Sequence, residues 1–264
     1  MDLYLSFIAF ILGLIIGSFL NFLIWRLYKD ESLAGRSHCP KCGHKIFWYD
    51  NIPLLSFILL GGRCRYCQNK ISWQYPLVEL VSAILFLAVW RLHQPAIDIL
   101  GAGLNLSAIS QLLKDFLLVS VWLAVFVYDW RWQLVPMALI WPTIIAVAGL
   151  QFLSGISLTA LLIGGALGAG FFLIQYILTA KQGIGEGDIW LGLLLGFAFP
   201  RADKLFLIMI VSYGLGALVG LSLLLVKRKK WRSAIALGPF LAIGSLVAIL
   251  WGEAIINWYF GLIF

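Results

Sequence analysis

Residues 160–178 read ALLIGGALGAGFFLIQYIL, residues 183–190 read GIGEGDIW, and residues 191–199 read LGLLLGFAF. Two strongly apolar runs thus flank an octapeptide with two carboxylates, Glu186 and Asp188, placed where the chain is about to enter hydrocarbon. Working outward, 62% of the 264 residues are hydrophobic and only 12% are charged, whereas charged residues make up about a quarter of a soluble domain. Lipid is therefore the expected solvent. Eight apolar stretches are long enough, or nearly so, to cross a bilayer: about 3–25, 77–94, 111–128, 135–153, 158–179, 188–199, 204–226 and 236–258. The reading is an all-α polytopic membrane protein of about eight transmembrane helices. It divides into an N-terminal region, 1–94, whose two helices flank a loop at 26–76, and a six-helix core, 105–264. The sixth stretch is short and reads as a half-helix, or as one borrowing length from the turns around it. The first has no basic leader segment and no small-residue cleavage site, and it is longer than a secretory apolar region, so it reads as a retained anchor.

Lys and Arg placement orients the chain. If the loop is cytoplasmic and all eight stretches span, its Arg26, Lys29, Arg36, Lys41, Lys45, Arg63, Arg65 and Lys70 lie inside. Arg131, Lys181 and the run Lys227, Arg228, Lys229, Lys230 and Arg232 lie inside with them. Only Arg91, Lys114, Arg201 and Lys204 then lie outside, so the positive-inside rule supports both the count and the direction. The formal charge of +7 follows from this topology and needs no nucleic acid partner; contact with anionic lipid headgroups comes as a by-product.

All four cysteines sit in the 26–76 loop, as CPKC (Cys39, Cys42) and CRYC (Cys64, Cys67). Each pair places two thiolates on one turn, and two facing pairs complete a tetrahedral four-sulfur site for zinc. Disulfides rarely persist in a reducing cytoplasm, and iron is the main competing metal. Four protein ligands leave no open position for substrate, so a metal here folds the loop. His38 and His44 flank the first pair and read as solvated loop residues.

In this topology Asp188 opens the sixth stretch at the cytoplasmic face, and Asp129, in VFVYDWRWQLVP (125–136), closes the third at the same level. Ionisable groups at membrane depth are costly and usually mark function or a buried pair. Two adjacent carboxylates cannot both ionise cheaply and so share a proton, the arrangement of aspartic protease chemistry. Gly185 and Gly187 would let a substrate backbone approach and would take torsions closed to other residues. From spacing alone the alternative stands equally: two boundary acids, with Asp188 capping a helix. Glu186 is expected to face the solvent, and Glu79 to complement a helix N-terminus. Asp115 and Asp203 fall on the opposite face.

These residues resemble one family, the type IV prepilin peptidases. GSFLNFLIWRL (17–27) is similar to its opening helix, and residues 38–83, from HCPKCGHK to PLVELVSA, resemble its zinc-bearing loop. GEGD (185–188) matches its G-x-G-D signature and LGPFLAIG (237–244) its last-helix motif. The resemblance implies Asp129 and Asp188 as the catalytic pair, with Gly185 and Gly187 in the active-site loop and a structural zinc on the four cysteines. It implies a multi-pass enzyme of the bacterial cytoplasmic membrane that cuts the basic leader of a prepilin or pseudopilin after glycine, on the cytoplasmic side. N-methylation of the new terminus from S-adenosylmethionine would follow, in service of pilus or type II secretion assembly. The family usually carries a lysine where Trp190 stands and an acid where Met137 follows Pro136; its first helix usually ends RLP, here RLY. Presenilin-type and archaeal preflagellin peptidases share the G-x-G-D chemistry but not the double cysteine motif.

Glycines four residues apart, Gly13 and Gly17, Gly164 and Gly168, Gly192 and Gly196, Gly216 and Gly220, read as small-residue helix contacts rather than phosphate loops. Ser18 and Asn21 are expected to bond across helices. Trp25, Trp130, Trp132 and Trp258 read as interfacial residues. A channel or transporter is the reading from a different class, with the acids lining an ion path; it would favour internal symmetry between halves, which the sequence lacks.

Overall fold

The structure, a computed structural model, describes residues 2–94, 105–180, 183–226 and 236–263. Among these the regular structure is helical, with two isolated antiparallel bridges, His38 to Lys45 and Arg63 to Lys70. The long helices are α1 (Asp2–Lys29), α3 (Gln74–His93), α4 (Leu106–Trp132), α5 (Met137–Leu153), α6 (Leu158–Leu178), α7 (Glu186–Ala198), α8 (Ala202–Leu225) and α9 (Gly238–Ile263). A 3-10 turn (Trp48–Asn51) and the short α2 (Leu55–Leu59) lie in the cysteine loop. Every expected apolar stretch falls in a helix, and the protein is an all-α polytopic membrane protein.

The count of eight full spans is not reproduced. Among the described residues six helices, α1, α3, α4, α6, α8 and α9, are long and apolar enough to cross a bilayer. Helices α5 and α7 have 17 and 13 residues. At 1.5 Å per residue they reach only about 26 and 20 Å, short of a hydrocarbon core of about 30 Å. Of the charges used for orientation, Lys181 and the run Lys227, Arg228, Lys229, Lys230 and Arg232 lie outside the described residues.

The chain divides into two compact units, Met1–Leu92 and His93–Phe264. In the first, α1 meets α3 through glycine. A Cβ on Gly13 would stand 2.6 Å from the Ala83 Cα, and one on Gly17 2.6 Å from the Glu79 Cα. Asn21, nearly fully buried, donates to the Tyr75 carbonyl at 3.1 Å and accepts from the Gln74 amide at 3.2 Å. Asn21 thus bonds across helices as expected, and Ser18 lies beside the Glu79 carboxylate. At the end of α1 the buried Arg26 guanidinium donates to the carbonyls of Ser32, Ala34 and Arg36 and gathers the start of the loop.

The second unit is a circuit of six helices in the order α4, α5, α7, α6, α8, α9, with α9 packed back on α4. Its tightest seam joins α6 to α7. Gly164 faces Gly196 and Gly168 faces Gly192 so closely that any Cβ would run into the opposing backbone carbonyl. This close approach compensates for the shortness of α7, whose Leu191, Leu194, Leu195 and Ala198 are buried. The far end of α7 stops inside the protein, where its last carbonyls have no water. The buried Gln151 of α5 donates to Phe197 O at 3.1 Å and Ala198 O at 2.8 Å and closes that end.

The expected acids of the opposite face are accounted for. His93 and Lys114 hold Asp115 at 2.8 and 3.2 Å, and Asp115 lies about 21 Å along α4 from Asp129. Arg201 pairs with Asp203 at 2.5 Å and, with Lys204, meets Glu253.

The α6 to α7 seam is directly testable. Gly168→Val should lower the unfolding free energy in detergent by about 1–3 kcal/mol, the usual cost of overpacking. Gly170→Ala, where a Cβ meets nothing within 4 Å, should be neutral or slightly stabilising, because alanine is the better helix former.

Candidate functional site

The four thiols of the first unit converge. Their sulfurs lie within 4.8 Å of one another, with Cys39 and Cys67 Sγ 3.9 Å apart. Tetrahedral sulfurs at 2.3 Å from a zinc ion stand about 3.8 Å apart, so the cluster has the size such an ion requires. The two halves are built alike. Cys39 N–H donates to His44 O and Gly43 N–H returns to Cys39 O, while Cys64 N–H donates to Asn69 O and Gln68 N–H returns to Cys64 O. The turning residues Gly43 and Gln68 both have positive φ, +70° and +57°; only the first is a glycine. The Asn69 backbone N–H, helped by its side-chain amide at 3.4 Å, pulls the Cys67 thiol down to about 6. The facing Cys42 thiol is pushed the other way, up to about 11: the His44 backbone N–H lowers it, and burial with the neighbouring Cys39 and Cys67 thiols outweighs that and raises it. His38 and His44 stay out of the cluster: His38 lies 3.8 Å from Glu31, and His44 rests on the Tyr66 ring, centroids 3.5 Å apart. The Asp50 carboxylate clamps Arg65 through two nitrogens and holds its guanidinium above its ordinary value.

In the second unit the two aspartates are carried by separate helices. Asp129 sits in the last turn of α4, which ends where Gln133 turns left-handed and returns its N–H to Asp129 O. Its buried carboxylate accepts the Gly238 N–H at 2.7 Å, at the first residue of α9. Only glycine fits there, since a Cβ would stand 2.6 Å from Asp129 Oδ2. Asp188 is the third residue of α7, and its Oδ2 accepts the Gly185 N–H at 3.1 Å. The N-cap is therefore Gly185 and not Asp188, whose side chain instead reaches back from the third helical position to the N-cap amide, and Asp188 also lies within electrostatic reach of Asp129. Glu186 is exposed and accepts the Tyr176 hydroxyl at 2.6 Å, facing away as expected.

Two expectations need revision. Gly185 has φ −80°, ψ 156°, and Gly187 has no positive φ, so unusual torsion is not what these glycines supply. Gly187 instead admits Val135, whose side chain would lie 2.6 Å from an added Cβ. Glu79 does not serve the N-terminus of its own helix: it sits in the second turn of α3 and accepts the Leu54 N–H at 2.8 Å, at the start of α2. Trp190, which stands where the family usually carries a lysine, packs on Trp141 of α5 with centroids 4.1 Å apart, so a contact between helices takes the place of the charge.

The sequence reading missed Gly238, Gln151 and Arg26. A glycine before proline at a helix start and a lone amide in the apolar run AGLQFL were the available signals. The paired glycines of α6 and α7 are sealed against each other and offer no cradle to a nucleotide-like methyl donor.

Residues 11–92 match the family model described as Bacterial Peptidase A24 N-terminal domain, and residues 116–221 match the Type IV leader peptidase family. A prepilin leader peptidase/N-methyltransferase of Aeromonas hydrophila is 35% identical, covering 97% of this chain and 94% of its own. The protein of that name from Pseudomonas putida is 34% identical over 96% of this chain and 92% of its own. That of Bacillus subtilis (strain 168) is 32% identical over 96% of both. No solved structure matches significantly. With the cysteine knuckles in one unit, the paired aspartates in the other, and relatives aligned over nearly their whole length, the chain belongs to the type IV prepilin leader peptidase family.

Proposed function

We propose that this protein removes the basic leader of a type IV prepilin or pseudopilin by a two-aspartate mechanism at the cytoplasmic face of the bacterial cell membrane, and then methylates the new N-terminus. The observation that carries the reading is that Asp129 and Asp188 lie within electrostatic reach of each other. They come from the end of one helix and the start of another, and each holds one backbone N–H.

With one proton shared by the pair, the ionised carboxylate takes a proton from water as it attacks the scissile carbonyl. The protonated carboxyl donates a hydrogen bond to the developing oxyanion. Gly185 and Gly187 form the first turn beneath the substrate backbone, and the Val135 contact at Gly187 fixes that turn against the segment after Asp129. Positioning of this kind is why two weak acids suffice: general acid–base groups in place contribute about 10²- to 10⁴-fold.

Cys39, Cys42, Cys64 and Cys67 would hold one structural zinc, supported by the size of the cluster and the soft donor set. It would supply folding energy to the loop and no chemistry to the cut. The printed names of the relatives support the methyl transfer, with S-adenosylmethionine as donor. Delivery of mature pilin to pilus or type II secretion machinery is the setting these activities fit.

Wild type in membranes should cut a pilin precursor after the leader glycine and leave a terminus heavier by one methyl group by mass spectrometry. Asp188→Asn should lose cutting by about 10²-fold or more while remaining folded; undiminished cutting would refute the pairing. Cys64→Ser, or chelation of the wild type, should release zinc measured by elemental analysis and open residues 38–70 to protease. The Asp129 and Asp188 chemistry should survive in part. Protection unchanged after complete metal loss would remove zinc from the account.

A further inference from the structure

The segment 48–59 of the cysteine loop carries apolar side chains that stand exposed among the described residues. Trp48 is 72% exposed, Ile58 71% and Leu59 75%, with Leu55 half-exposed beside them. In water such a cluster would forfeit about 25 cal/mol for each Å² of apolar surface left unburied, and contiguous apolar patches usually mark an interaction surface.

Its depth says what covers it. Helices α1 and α3 are held in register by Gly17 against Glu79 and by Asn21 against Tyr75. The loop is tied into that register, since Leu54 N–H donates to Glu79 Oε2 at 2.8 Å. Independently, Ile52 and Pro53 share a cleft with Ile15, Ser18, Phe19 and Phe22 of α1. Residues 52–54 therefore stand level with Ile15 to Phe22, while α1 runs on to Lys29, about 10 Å beyond. Both α1 and α3 are apolar enough to span, so this level lies within the bilayer and not above it. Leu54, at φ +59°, turns the chain into α2, and Gly61 and Gly62, both at positive φ, turn it out again toward Arg63. The chain dips and returns.

We infer that residues 48–59 form a re-entrant interfacial segment whose partner is the bilayer itself. Leu55, Ile58 and Leu59 lie among acyl chains, and Trp48, with the 70% exposed Trp73, lies at headgroup level, where tryptophan is favoured. The cleft of ≈ 530 Å³ between α1 and this segment has apolar walls that include Phe19, Phe22 and Ile52, and Arg36 lines it as well. That combination suits the acyl chain and phosphate of an anionic phospholipid. The backbone cost of irregular chain at this depth is met from within, as it must be in hydrocarbon: Leu54 N–H has Glu79, and the α2 amides return to Ile52 and Leu54 carbonyls.

The test places p-benzoylphenylalanine, one position at a time, at Ile58, at the lipid-facing Ile84 of α3 (51% exposed) and at Lys45, which pairs with His38 in the knuckle. The full chain is reconstituted in phosphatidylethanolamine and phosphatidylglycerol vesicles, irradiated, and analysed by mass spectrometry with and without pilin precursor. Phospholipid adducts at Ile58 as abundant as at Ile84, absent at Lys45 and unaltered by precursor, are expected. No lipid adduct at Ile58 would overturn the inference, and so would replacement of lipid by a pilin adduct, which would make this surface a substrate dock. Ile58→Gln provides the second measurement. Lipid contact predicts weaker quenching of tryptophan emission by phospholipids brominated on the acyl chain, as the segment rises; unchanged quenching would count against it.

Discussion

Hydrocarbon offers no hydrogen bonds, and that constraint organises this protein. A backbone N–H or carbonyl left open at membrane depth costs several kcal/mol, so each place where a helix starts or stops within the bilayer has to be closed by a side chain. Gln151 closes the end of α7, Asp188 its beginning and Asp129 the beginning of α9. Glu79 closes the start of α2 in the other unit. Two of these four side chains are the aspartates to which the chemistry is assigned. Their structural and chemical duties coincide because the interrupted helix that exposes them also needs them as caps.

The same constraint explains why the short helix tolerates its position. Thirteen residues do not cross a bilayer, but a glycine face pressed on α6 and a buried amide at its end make α7 part of a packed interior, where irregular backbone is permitted. Trp190 follows this logic too. A lysine there would place a cation next to Asp188, whereas the tryptophan ties α7 to α5 through Trp141, trading charge for packing at the edge of the site.

Helix positions were legible because membrane depth enforces long apolar runs, and the thiol cluster because ligand spacing is local. The aspartates were legible as acids at one level, yet spacing alone left capping and catalysis balanced, and the two duties overlap: Asp188 holds the Gly185 N–H and also lies within electrostatic reach of Asp129. The full count of spans was not legible, since apolarity does not say whether a helix crosses or stops inside. Nor was Gly238, whose partner lies over a hundred residues earlier in the chain, or Glu79, which serves the start of α2 rather than that of its own helix. Such long-range pairings leave only a weak mark on a single sequence, a glycine or a lone carboxylate where an apolar residue would otherwise stand.

The central claim is that Asp129 and Asp188 act as one unit, and a double-mutant cycle on the rate of prepilin cleavage addresses it most directly. If they share one proton and one water, Asp129→Asn, Asp188→Asn and the double variant should all fall to the same residual rate, since either loss dismantles the pair. Contradiction would be a double variant slower than either single by the product of their separate effects, or one single variant that keeps most of its activity; the two carboxylates would then be independent.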